Sequence, residues 1–96
     1  MLMSSRKVVI GSPVGLHARP AKLLVELAGR LPVPVKIGRD ENQLVDAASI
    51  LALMALGVRG GEEVLVTAEG EGAEDAVTQV AELLARDLDS AEQAPA

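Results

Sequence analysis

The spacing of apolar positions along this chain changes several times, and each change marks an element. Lys7-Val8-Val9-Ile10 crowds β-branched residues into a short run that Gly11-Ser12-Pro13 closes, which predicts a strand from Arg6 to Ile10. From Ala18 to about Arg30 the pattern becomes helical. Ala21, Leu24, Val25, Ala28 and Leu31 recur at helical intervals, while Arg19, Lys22, Glu26 and Arg30 line another face. Pro20 belongs in the first turn of that helix, where a missing N–H costs nothing. Val33, Val35 and Ile37 then alternate with Pro34 and Lys36, a strand whose proline points to a sheet edge or a strand start.

After the polar turn Arg39-Asp40-Glu41-Asn42, Gln43 to Asp46 reads as the second arm of a hairpin. Ser49 stands where an N-cap belongs, before a short apolar helix from Ile50 to Leu56 that Gly57 can end in a left-handed conformation. Gly60-Gly61 marks a turn into a fourth strand, Val64 to Ala68. The last stripe, Ala73, Ala76, Val77, Val80, Leu83, Leu84 and Leu88, is helical, with Glu74 and Asp75 in its first turn and Arg86 near its end. The order is βαββαβα. Elements apolar on one side bury that side most economically in two layers, so the expected class is α+β, one sheet with three helices on a single face.

Composition narrows this picture. Ninety-six residues allow one small domain, and with no Phe, Trp, Tyr or Cys its core must be aliphatic. Neither a disulfide nor a thiolate metal site is available, which fits a reducing, cytoplasmic setting. Met1-Leu2-Met3-Ser4-Ser5 is not followed by the apolar stretch of a signal peptide, and no run approaches a membrane span, so a soluble protein is expected. The tail from Asp89 onward has little to bury and is expected to be disordered. Net charge is −5, unevenly spread: through Gly60 there are eight Lys/Arg against four Asp/Glu, and from Gly61 one against ten. An acidic chain without aromatic stacking platforms argues against nucleic-acid binding.

The chemistry concentrates at the only histidine. His17 lies in Gly15-Leu16-His17-Ala18-Arg19-Pro20-Ala21, where a turn feeds a helix start. Such a start presents backbone N–H groups without intrahelical partners, here those of Ala18 and Arg19, together with the positive end of the helix dipole. The same field favours an uncharged imidazole able to attack phosphorus. Arg19 suits the stabilisation of a moving phosphoryl group, or else it is a solvated helix residue. Ser49 is a structural cap and a candidate phosphoacceptor at once. Ile50, Leu51 and Met54 form either part of the core or an exposed patch that docks a partner, and periodicity leaves both open. No Walker-type loop and no transition-metal set are present, so no cofactor is expected and the histidine must receive its phosphate from another protein.

These motifs resemble the histidine-containing phosphocarrier (HPr) family of the bacterial phosphoenolpyruvate-dependent sugar phosphotransferase system. The first motif runs from Gly15 to Ala21 and the second from Ala48 to Gly57. The resemblance implies an open-faced β-sandwich, with a four-stranded antiparallel sheet under three helices, over residues 5–88, and leaves 89–96 as the tail. It implies a carrier rather than an enzyme: phosphorylation of His17 on Nδ1 by enzyme I, assistance from Arg19, and donation to the IIA component of sugar-specific enzymes II. It further implies docking through Leu23, Ile50, Leu51 and Met54, regulation at Ser49 by an HPr kinase/phosphorylase and a catabolite-control regulator, and a monomer in the cytoplasm. Three positions depart from the family pattern: Val14 before the motif glycine, Ala48 where a basic residue usually precedes the serine, and Ala52 in place of a glycine. A nitrogen-branch regulatory carrier and a non-catalytic interaction domain stand as the alternatives.

Overall fold

The computed structural model describes residues 3–86, and the element order is β1(Met3–Val9), α1(Ala18–Arg30), β2(Val35–Gly38), β3(Leu44–Asp46), α2(Ile50–Ala55), β4(Glu63–Glu69) and α3(Ala73–Ala85). The strands form one sheet in the order β1-β4-β2-β3, with antiparallel pairing throughout. This is the expected open-faced sandwich, one sheet with its helices packed on a single face.

Period-two alternation decides which side of the sheet meets the helices. In β4, Val64, Val66 and Ala68 are buried, and Val35 and Ile37 of β2 pair with Ala68 and Val66 on the same side. α1 contributes Ala21 and Leu24 to this core, α2 contributes Leu53, and α3 contributes Ala76, Val77, Val80 and Leu84. No aromatic ring is available for the interior, so Val, Leu and Ile do most of the packing, with alanines and the ring of Pro20 filling between them.

Several boundaries move from those the pattern predicts. β1 begins at Met3 instead of Arg6, because Ser4 and Ser5 pair with Ala68 and Thr67 of a long central strand, and the waiting ladder outweighs the weak β propensity of serine. Ile10 leaves the strand assignment, though its N–H donates to the Glu62 carbonyl at 2.9 Å and its side chain is buried. β2 starts at Val35, directly after Pro34. Since β2 lies between β4 and β3, a proline inside it would remove a ladder bond, and of the two places predicted for Pro34 the strand start is the one found.

β3 is shortened to Leu44–Asp46, and β4 gains Glu63 and Glu69 by pairing with Val9 and Met3. α2 ends at Ala55 with Leu56 as its cap, and Gly57 follows at φ 64°, the left-handed stop its residue type suggests. α3 buries the expected stripe from Ala73 to Leu84, with Leu83 half-buried and Ala81 added. Leu88 and the expected tail at 89–96 lie outside the described residues.

Candidate functional site

His17 is the N-cap of α1. Its backbone is extended, at φ −85° and ψ −171°, and its carbonyl accepts the Ala21 N–H at 3.0 Å, which opens the helix. The imidazole makes no capping hydrogen bond to the helix, and the residue is half-buried, so the ring is neither spent on helix capping nor enclosed in the core. Pro20 has no N–H and that of Ala21 is engaged. Helix geometry therefore leaves the Ala18 and Arg19 amides as those without an acceptor inside the helix. Ala18 and Arg19 are exposed, and the first turn carries no acidic residue to neutralise the dipole.

The loop that delivers His17 rests on main chain. Gly15 has φ 86°, and a Cβ there would overlap the carbonyl oxygen of Val58, so both the conformation and the close approach require glycine. The approach is used: Gly15 N–H donates to the Ser12 carbonyl at 2.9 Å and Leu16 N–H to the Val58 carbonyl at 3.0 Å. From the other side, Gly60 lies so close to the Ser12 and Pro13 carbonyls that any side chain would collide with them. Buried Ser12 also donates from Oγ to the Arg86 carbonyl at 3.4 Å, and Gly11 N–H donates to the Leu84 carbonyl at 2.9 Å, which ties the loop to the end of α3.

Beneath this lies a cluster that sequence reasoning missed. Arg39, just past β2, donates from Nε to the Leu56 carbonyl at 3.2 Å and from a terminal nitrogen to the Gly57 carbonyl at 2.8 Å. It also forms a two-pronged pair with the Glu62 carboxylate, each bond 3.3 Å long. Glu62 Oε1 in turn accepts the Arg59 N–H at 2.7 Å. The carboxyl of Glu62 is held below the ordinary glutamate value, first by that backbone N–H and then by the Arg39 side chain. In the sequence Glu62 reads as a turn carboxylate, and nothing links it to an arginine 23 positions away. The one local signal was Gly60-Gly61, which pointed to a turn but not to what the turn supports.

α2 settles an open alternative. Ile50, Leu51 and Met54 are 37%, 80% and 44% exposed, while only Leu53 of this helix is buried. The three form a surface apolar patch rather than core. Ser49 caps α2 as expected: its Oγ accepts the Ala52 N–H at 3.3 Å and its carbonyl accepts the Leu53 N–H at 3.0 Å. Leu23 is half-buried in the groove between α1 and α3, beside Leu27, Leu83 and Arg86, and so faces α3. Among the described residues, no group of three or more His, Cys, Asp or Glu could hold a metal, and no helix is long and apolar enough to cross a membrane.

Comparison with known proteins agrees with this geometry. A family profile described as the PTS HPr component phosphorylation site matches residues 4–86. The phosphocarrier protein HPr of Streptomyces coelicolor is 44% identical over 87 residues, spanning 91% of this chain and 94% of that protein. The crystal structure of HPr from Bacillus anthracis superposes with a TM-score of 0.78 at 33% identity, covering 85% of this chain and 96% of that one. Crh, the catabolite-repression protein of Bacillus subtilis, matches as a swapped dimer with a TM-score of 0.66 at 37% identity, over 82% of this chain and 90% of its own. Matched structures thus include a dimer, and family membership does not by itself imply the expected monomer. With a family profile spanning nearly all of the described residues and close likeness in sequence and fold, the chain belongs to the HPr family of phosphocarrier proteins.

Proposed function

We propose that this chain is a cytoplasmic phosphocarrier, a domain over residues 5–88 that takes a phosphoryl group from phosphorylated enzyme I onto Nδ1 of His17 and gives it to IIA components of sugar-specific enzymes II. The observation that carries this reading is the half-buried imidazole of His17, which ends an extended segment at a helix start without capping it. In the Nε2–H tautomer the Nδ1 lone pair attacks phosphorus as the donor's bond to phosphorus breaks, and the same path in reverse passes the group on. The Ala18 and Arg19 amides and the dipole of α1 meet the phosphoryl oxygens, and the Arg19 guanidinium follows their charge during transfer.

Docking falls to Ile50, Leu51 and Met54, whose exposure beside a capped helix start suits an apolar partner surface, and Leu23 would add to it only through the part of its side chain left open in the groove between α1 and α3. Ser49 is the regulatory acceptor for an HPr kinase/phosphorylase, through which a catabolite-control regulator would act. Its place at the start of α2 favours an added phosphate, and Ala48 beside it withholds the basic charge that would help a kinase.

The decisive experiment incubates the chain with phosphoenolpyruvate and a cognate enzyme I. Acid-labile label on the native protein and none on His17→Ala is expected, and equal labelling of the two rejects the assignment.

A further inference from the structure

We propose that Arg39 and Glu62 are positioning residues for transfer at His17, acting through the single peptide unit that joins Val58 to Arg59. The inference rests on the phosphocarrier reading above. That peptide is held at both ends. Its N–H donates to Glu62 Oε1 at 2.7 Å, and its C=O accepts the N–H of Leu16, the residue before His17, at 3.0 Å. Hydrogen bonds at opposite ends of one peptide polarise it in the same sense, so each strengthens the other.

The peptides on either side of it are engaged as well. The Gly57 carbonyl, one peptide upstream, is held by Arg39, and downstream the Arg59 carbonyl accepts the Glu62 N–H at 3.1 Å. Gly61 N–H donates to the Ile10 carbonyl at 2.9 Å, and Gly60 is wedged against Ser12 and Pro13. Arg39 closes the assembly by gripping Glu62 with two nitrogens. Without it the carboxylate is an exposed side chain with its rotamers open; with it Oε1 is aimed at the Arg59 amide. The depressed titration of Glu62 agrees with a carboxylate engaged in this way.

A transfer site needs its amides in place before phosphate arrives, because an amide that must first be oriented delays the reaction. The loop from Gly15 to His17 is anchored by the buried Leu16 side chain and by main-chain hydrogen bonds, and the orientation of the Val58–Arg59 peptide fixes the direction of the Leu16 N–H and, with it, the path by which His17 enters α1. Neither Arg39 nor Glu62 belongs to the docking patch. Glu62 bonds to neither α2 nor its cap, so its loss is read in the transfer step and not in partner affinity, whereas Arg39 also holds the Leu56 and Gly57 carbonyls at the end of α2.

The test measures amide hydrogen exchange and phosphoryl acceptance on the full chain and on Glu62→Ala, Glu62→Gln and Arg39→Ala. Exchange of the Leu16 amide is expected to rise about fivefold in Glu62→Ala, and less in Glu62→Gln, whose amide oxygen still accepts from Arg59, while the amides of β4 keep native rates. With enzyme I as donor, kcat of Glu62→Ala is expected to fall with KM for the carrier unchanged. Native exchange at Leu16 in Glu62→Ala overturns the proposal, as does acceleration shared equally by β4, a raised KM with unchanged kcat, or a native kcat. Should the native chain take no phosphoryl group, the phosphocarrier reading fails at that arm, and exchange at Leu16 still decides whether the pair holds the loop.

Discussion

α1 and α3 are both 13 residues long, and both pack the same kind of aliphatic stripe on the same sheet, yet their N-termini differ in charge. α3 opens on Gly72 and carries Glu74 and Asp75 in its first turn, so its own carboxylates answer the dipole. α1 opens on His17, has no acidic residue in its first turn, and places Arg19 there instead. One terminus carries carboxylates in its first turn, and the other carries none; on the phosphocarrier reading, that second terminus meets the anion brought by a partner. The favourable interaction is the same at both ends, and only its source differs. A helix start becomes a site when the sequence withholds the carboxylate that would otherwise settle it.

Moving charge between the two helix starts tests whether their difference matters for transfer. The largest effect is expected from Arg19→Ala, which leaves His17 and the amides in place and lowers the rate of phosphoryl acceptance about tenfold, read as kcat/KM with enzyme I. Ala18→Glu makes α1 resemble α3. It is expected to stabilise the fold by about 0.3 to 1 kcal/mol in chemical denaturation and yet to slow acceptance about threefold, because the new carboxylate meets the charge meant for phosphate.

Neutralising α3 with Glu74→Gln and Asp75→Asn together is expected to cost about 0.5 to 1 kcal/mol of stability and to leave transfer at the native rate. The smallest effect concerns pH. The stability that Glu62 contributes is complete above the glutamate value of the unfolded chain and is lost only as pH falls through the lowered value of the folded one. A carboxyl-carbon titration by NMR should therefore find Glu62 still ionised, with the Arg59 amide still bonded, at a pH where the glutamates of the unfolded chain have begun to protonate.

Much of this was legible in the chain because it is local. The spacing of Ala21, Leu24, Val25 and Ala28 gives α1, Ser49 and Gly57 bracket α2, and the run from Gly15 to Ala21 sets a histidine at a helix start without reference to anything distant. What stayed hidden depends on approach across the fold. Gly15 is visible as a glycine, but the Val58 carbonyl that demands it lies on another loop. The partnership of Arg39 with Glu62 has no periodicity and no motif; it exists because β2 ends beside the turn that leads into β4. Strand ends shift for the same reason, since Ser4 and Ser5 join β1 only because β4 is long enough to receive them.

The exposure of Ile50, Leu51 and Met54 belongs between these cases. Their helical spacing was plain, but which side of a six-residue helix meets the sheet depends on where the chain has already placed α1.

The close seating of Gly15 and Gly60 against carbonyl oxygens has a consequence for how this surface tolerates change. Crowding among side chains is relieved by a new rotamer, whereas crowding among main-chain atoms is relieved only by displacing the chain. A saturation scan should therefore find a sharply intolerant island at these two positions, on a loop whose outer residues, such as Pro13 and Val14, accept wide replacement, so that the pattern of permitted substitutions traces the skeleton beneath the histidine better than solvent exposure does.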